Sequence, residues 1–203
     1  MKNKKSLYLN LIIVILEIIG FIITIGVNKR IGYEYYTQDS NILALISSLL
    51  FVILLISKKD IPRWLQLFKY MTTICLTVTF LVVIFILAPM LEFNFGYLLF
   101  HNELLYQHLL CPVLSIITFL LFDNICILKR RDSFLGISLT TLYAIILVTL
   151  NYFELVSGPY PFLMVHKQSI FMSIFWFITI LGLAYLIAFL LRKIYIKIHE
   201  KSN

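Results

Sequence analysis

Uncharged, strongly apolar runs about 20 residues long recur through this chain, and nothing else in it restricts the fold so much. An α-helix rises about 1.5 Å per residue, so a run of this length crosses the roughly 30 Å hydrocarbon core of a bilayer. The runs fall at roughly residues 8–27, 40–57, 70–91, 104–128, 134–153 and 169–191. The first carries Glu17 at mid-depth, and the fourth carries His108 and Asp123. Polar alternation with period two is absent, which argues against a β-barrel. A soluble domain of 203 residues cannot hide a chain that is 61% hydrophobic and 13% charged, with a mean hydropathy of +0.97. The expectation is an all-α, polytopic integral membrane protein, with one transmembrane domain of six helices over residues 1–203. The basic flank Met1–Lys5 resembles that of a signal peptide. The run behind it is long and lacks a small-x-small cleavage site, so it reads as a retained first span.

The basic residues orient this bundle. Lys2, Lys4 and Lys5, then Lys58, Lys59, Arg63 and Lys69, then Lys129, Arg130 and Arg131, and finally Arg192, Lys193, Lys197 and Lys201 all flank one side. Only Lys29, Arg30 and Lys167 flank the other. By the positive-inside rule both termini are cytoplasmic, in a multi-pass protein of the cell membrane. The net charge of +7 is thus a topology signal and an affinity for anionic lipid, and it implies no nucleic-acid partner. Cys75, Cys111 and Cys126 lie apart in apolar runs, which excludes a disulfide framework or a zinc finger.

With that orientation, His101, His108 and His166 fall at the outer side, together with Glu34, Asp39, Glu92, Glu103 and Glu154. Groups able to do acid–base work near neutral pH therefore concentrate there. Thr37, Asn41, Ala44 and Ser48 share one helix face, a polar-to-small stripe directed into the bundle. Thr37 reads either as an N-cap or as a nucleophile that needs a base. His108 is the candidate base, and Pro112 frees its carbonyl from the helical ladder. The alternative is a histidine satisfied by an interhelical hydrogen bond beside an ordinary kink.

His101, Glu103, His108 and His166 also raise a zinc reading. The two span-4 histidines are seven apart, unlike the i, i+4 pair of a metalloprotease, and no metal is expected. Glu17 is either a neutral carboxyl fixing helix register or a proton-transport group, with Thr77 and Thr79 as partners. Asp123 is expected to pair with the basic loop that follows it. Tyr160 and Phe162 sit in Ser157-Gly158-Pro159-Tyr160-Pro161-Phe162-Leu163, a stiff turn that serves as lid or connector. No GxSxG elbow, Walker loop or dinucleotide glycine motif occurs, and no cofactor is implied.

Tyr36-Thr37-x-x-Ser40-Asn41, Thr77-Val78-Thr79, Leu87-Ala88-Pro89, His108 ahead of Pro112, and Tyr160-Pro161-Phe162-Leu163 follow in that order. In this order and layout the chain resembles the androgen-induced-gene-one and ADTRP family of multi-span membrane hydrolases, and their bacterial Pr-six-Pr branch. Animal members hydrolyse fatty-acid esters of hydroxy fatty acids with a threonine nucleophile and a histidine. The resemblance places those roles on Thr37 and His108. Ser40 stands where the animal proteins carry an acidic residue.

Two functions are therefore in view. The first is a membrane-embedded lipid ester hydrolase, or less readily an acyltransferase. In it Thr37 attacks, His108 takes the proton and Asn41 holds the oxyanion. Tyr36, Ser40, Tyr160 and Phe162 would border a lipid-like substrate drawn from the membrane. The second is a small transporter or scaffold with an outer ligand cavity, in which Glu17 moves protons.

Overall fold

The computed structural model describes residues 2–123 and 128–200. Cys126, Lys201 and the part of the fourth expected span at residues 124–127 lie outside them. No β-strand occurs among the described residues. The helices are α1 (Lys2–Asn28), α2 (Tyr36–Ile56), α3 (Arg63–Val82), α4 (Ala88–Met90), α5 (Phe95–Phe100), α6 (Cys111–Leu121), α7 (Asp132–Gly136), α8 (Ser138–Tyr152) and α9 (Ile170–Glu200).

Among the described residues, four helical stretches are long and apolar enough to cross a membrane: Lys4–Asn28, Tyr36–Ile56, Arg63–Met90 and Ile170–Glu200. The expected fourth and fifth spans are met by shorter apolar helices, Leu105–Leu121 and Ser138–Tyr152. The fourth stops early because Phe122 N and Asp123 N both turn back onto the Thr118 carbonyl. The fifth breaks at Ile137, just after Gly136. A Cβ on Gly136 would come within 2.6 Å of Ile74 and 3.3 Å of the Ala188 methyl, so α7 approaches α3 and α9 as closely as only glycine allows.

Proline shapes two of these helical stretches. Val83–Leu87, ahead of Pro89, and Leu105–Leu110, ahead of Pro112, are π-turns. The wider turn accommodates a ring that would otherwise clash with the carbonyl four residues back. In the second π-turn Cys111 N reaches the Tyr106 carbonyl.

α3 is the hub. Its buried Tyr70 donates to the Ala188 carbonyl at 2.5 Å and stacks on Phe119 with centroids 5.5 Å apart. Hydroxyl pairs join it to its neighbours: Ser40 and Ser47 of α2 meet Thr79 and Thr72 at 3.0 and 2.9 Å, and Thr73 meets Ser115 of α6 at 3.0 Å. Small and hydroxylated residues at interfaces let helices approach closely where burial alone gives no drive.

The polar residues mark two ends. At one, Asp123 accepts from Ser6 and Asn10, and Arg63 binds Asp132 at 2.9 Å. At the other, Asn28 meets Glu103 and the Tyr143 hydroxyl donates to the Glu34 carbonyl. Three expectations are corrected at the first end and in the interior. Asp123 pairs with α1 rather than with the following loop, and Asp132 takes the basic partner instead. Lys69 is not a solvated loop charge: α3 begins at Arg63, and Lys69, inside it, is fully buried. Thr77 and Thr79 are not partners of Glu17, since Thr77 bonds back to the Thr73 carbonyl and Thr79 to Ser40.

Candidate functional site

The chain turns at Gly32–Tyr35, where Tyr35 N bonds the Gly32 carbonyl, and α2 starts at Tyr36 with Tyr35 as its N-cap. Thr37 is therefore one residue inside the helix, and the N-cap reading of it does not hold. The stripe of Thr37, Asn41, Ala44 and Ser48 is buried as its spacing predicts.

Thr37 Oγ1 lies 3.4 Å from His108 Nε2 and 3.5 Å from the Tyr160 hydroxyl. His108 sits in the π-turn, and its Nδ1 is 2.8 Å from the Leu98 carbonyl oxygen. A carbonyl only accepts, so Nδ1 carries the hydrogen and Nε2 presents its lone pair to the Thr37 hydroxyl. A hydroxyl, an imidazole and a backbone carbonyl thus stand in line, the arrangement that a nucleophile, its base and a group orienting the base would need. The 3.4 Å contact is long for a hydrogen bond, as such contacts often are before substrate binds.

Thr37 N–H, one of the first-turn groups without a helical acceptor, points to the Tyr160 hydroxyl at 3.4 Å. The Tyr160 hydroxyl, accepting from this amide and lying beside Oγ1, is the donor placed where an oxyanion formed by attack on a carbonyl would develop. Burial pushes the Tyr160 phenol above its ordinary range, which keeps it a proton donor at neutral pH. Tyr160 is stacked on Phe162 with planes 4° apart, and Phe162 meets Trp176 of α9.

Asn41 is placed differently from its expected role. Its amide nitrogen is taken by the Thr37 carbonyl at 2.7 Å and the Gln107 carbonyl at 3.3 Å, so it ties α2 to the Leu105–Leu110 turn instead of meeting an oxyanion. Ser40 likewise bonds the Thr37 carbonyl and Thr79, which braces α2 against α3 and does not border the cavity. Tyr36 does line the cavity, its hydroxyl 2.7 Å from Thr140 of α8.

That cavity encloses about 460 Å³ between α2, α3, α8, α9 and the 160–166 loop. Thr37 and Tyr160 form its polar corner, and the rest of its wall is largely apolar. His108 does not line it and reaches Thr37 from behind. Tyr152, Ile170 and Ile174 line the cavity and are also exposed on the outer surface of the helices, so its rim is apolar.

Contacts invisible to spacing hold the loop. Asn151 binds the Val156 carbonyl and receives Val165 N, and His166 rests on the Asn151 and Tyr152 carbonyls at 3.1 Å. A Cβ on Gly158 would lie 2.7 Å from the Leu163 carbonyl oxygen, so the loop closes only with glycine there. Gly158→Ala is expected to open it, withdraw Tyr160 and reduce any Thr37-dependent reaction at least tenfold while leaving helix content unchanged by circular dichroism. Full activity in that variant would show that the closed loop is not needed.

The zinc reading has no site. His101 is exposed beside Tyr97, Glu103 is held by Asn28, and His166 is occupied as described. Among the described residues no three His, Cys, Asp or Glu side chains gather to hold a metal.

No family model, curated protein or solved structure matches the chain.

Proposed function

We propose that this chain is a six-pass, N-in/C-in protein of the cell membrane that hydrolyses lipid esters, a bacterial Pr-six-Pr-type relative of the androgen-induced-gene-one and ADTRP hydrolases. The observation that carries this reading is the contact of Thr37 Oγ1 with His108 Nε2, with Nδ1 anchored on the Leu98 carbonyl. The fourth and fifth passes are the shorter helices Leu105–Leu121 and Ser138–Tyr152, and the basic loops lie in the cytoplasm.

In the reaction, an acyl chain enters from the bilayer through the apolar rim and its ester reaches the polar corner. Thr37 Oγ1 attacks the carbonyl carbon as His108 Nε2 takes the hydroxyl proton. The Tyr160 hydroxyl donates to the resulting oxyanion. Collapse breaks the bond to the alcohol, which leaves with the proton from His108 and leaves an acyl-threonine. Water, deprotonated by His108, then attacks the acyl carbon, and the fatty acid departs as the proton returns to Thr37.

The test is covalent capture. A fluorophosphonate incubated with the purified protein is expected to leave one adduct, found on the Thr37 peptide by mass spectrometry. Modification elsewhere, or none, would remove the mechanism. Topology has its own check: with the native cysteines replaced, a thiol at Lys58→Cys should react only from the cytoplasmic side and one at Lys167→Cys only from outside. The reverse pattern would invert the orientation.

A further inference from the structure

In the half of the bundle away from the cavity, Glu17 of α1, Lys69 of α3 and Asp123 just past α6 each lie fully buried. The Thr37 site uses none of them. Lys69 Nζ donates to the Ser48 hydroxyl of α2 at 2.7 Å, and its charge acts on both carboxyls. Asp123 Oδ1 accepts from Ser6 at 2.5 Å and from Asn10 at 2.9 Å. Neither oxygen of Glu17 has a hydrogen-bond partner among the described residues, and the titratable groups that face it are the Cys111 thiol of α6 and Lys69. From α2 the cluster meets the neutral Ser48.

Charge decides what the cluster holds. Two carboxylates and one ammonium would leave an uncompensated negative charge in an apolar interior, which is strongly unfavourable. One added proton removes it. A metal cation is the poorer fit, because Lys69 already supplies a positive charge and no set of three ligands gathers there among the described residues. The proton's place follows from the hydrogen bonds. Asp123 has two donors that favour its anion, whereas Glu17 has none.

We propose that Glu17, Lys69 and Asp123 form a proton-binding site that holds one exchangeable proton, carried by Glu17, while the charges of Lys69 and Asp123 balance one another. Ser6, Asn10, Glu17 and Thr24 lie along one buried face of α1. Thr24 receives Gln107 Nε2 at 3.2 Å, and Gln107 in turn pairs with Gln38 at 2.8 Å. This polar face runs from the Asp123 end toward the residue before His108. The site stands independently of the hydrolase reading.

Infrared spectroscopy of the full-length protein in lipid nanodiscs at neutral pH counts such protons. The wild type is expected to show one protonated-carboxyl stretch that shifts in D2O. Glu17→Gln and Asp123→Asn should each abolish it, because the remaining carboxylate then neutralises Lys69. Lys69→Met should bring a second band, since two carboxyls then lack a counter-charge. Circular dichroism identifies any variant that fails to fold, and the near-isosteric pair of amide variants carries the test if Lys69→Met does. No band in the wild type, a band surviving in either amide variant, or a band lost on adding sodium at fixed pH would overturn the proposal.

Discussion

Thr37→Ala is expected to abolish both fluorophosphonate labelling and ester turnover, and His108→Gln to do nearly the same. Residues that act as one catalytic unit are not additive: losing either the nucleophile or its base in such a unit costs on the order of 10⁶ in rate, about as much as losing both. The double variant should therefore be no slower than either single one. Thr37→Ser keeps the hydroxyl and should keep labelling. Tyr160→Phe removes one oxyanion donor while preserving the stack on Phe162, and a loss of about 10²–10³ in kcat is expected. Labelling that persists in Thr37→Ala, or full loss in Thr37→Ser with intact fold, would assign the reaction to another group.

Tyr70→Ala is the substitution expected to cost most in stability. Tyr70 is fully buried on α3, spans to α9 through the Ala188 carbonyl and stacks on Phe119. Truncation leaves a cavity between three helices, and large aromatic-to-alanine changes in cores cost about 3–5 kcal/mol. Tyr70→Phe keeps the ring and removes only the hydroxyl, leaving the carbonyl without that donor, at about 1–3 kcal/mol. Unfolding in mixed micelles with a rising fraction of denaturing detergent should rank the alanine variant well below the phenylalanine one. Equal midpoints would mean that the hydrogen bond, not the packing, ties α3 to α9.

Much of the helical layout was legible in the order of residues, because an apolar run must satisfy its backbone internally and length then fixes what it can cross. The stripe on α2 was legible for the same reason, since helical period alone decides which residues share a face. Interruptions were harder. Proline at 89 and 112 signalled disturbed helices, but the π-turns that absorb them depend on neighbouring helices. The break at Ile137 depends on how closely Gly136 approaches α3 and α9.

Residue type alone misassigned several polar groups. Lys69 looked like a loop cation because it follows Lys58, Lys59 and Arg63, and only the position of the α3 start, with Ser48 and two carboxyls waiting inside, makes it a core residue. Asn41 had the right chemistry for an oxyanion donor, and tertiary contact gave its amide to two backbone carbonyls instead.

The sequence by itself determined that this chain is helical and apolar and that its basic residues are segregated, and it offered Thr37 and His108 as a candidate pair. Period, length and charge are local properties, and one dimension suffices to state them. Only the tertiary structure decided that the two side chains meet, 71 residues apart, and that the Leu98 carbonyl turns the imidazole lone pair toward the hydroxyl. It also decided that Lys69 is fully buried and bonded to Ser48. Those are matters of distance between separate elements, and the packing of side chains against one another sets them.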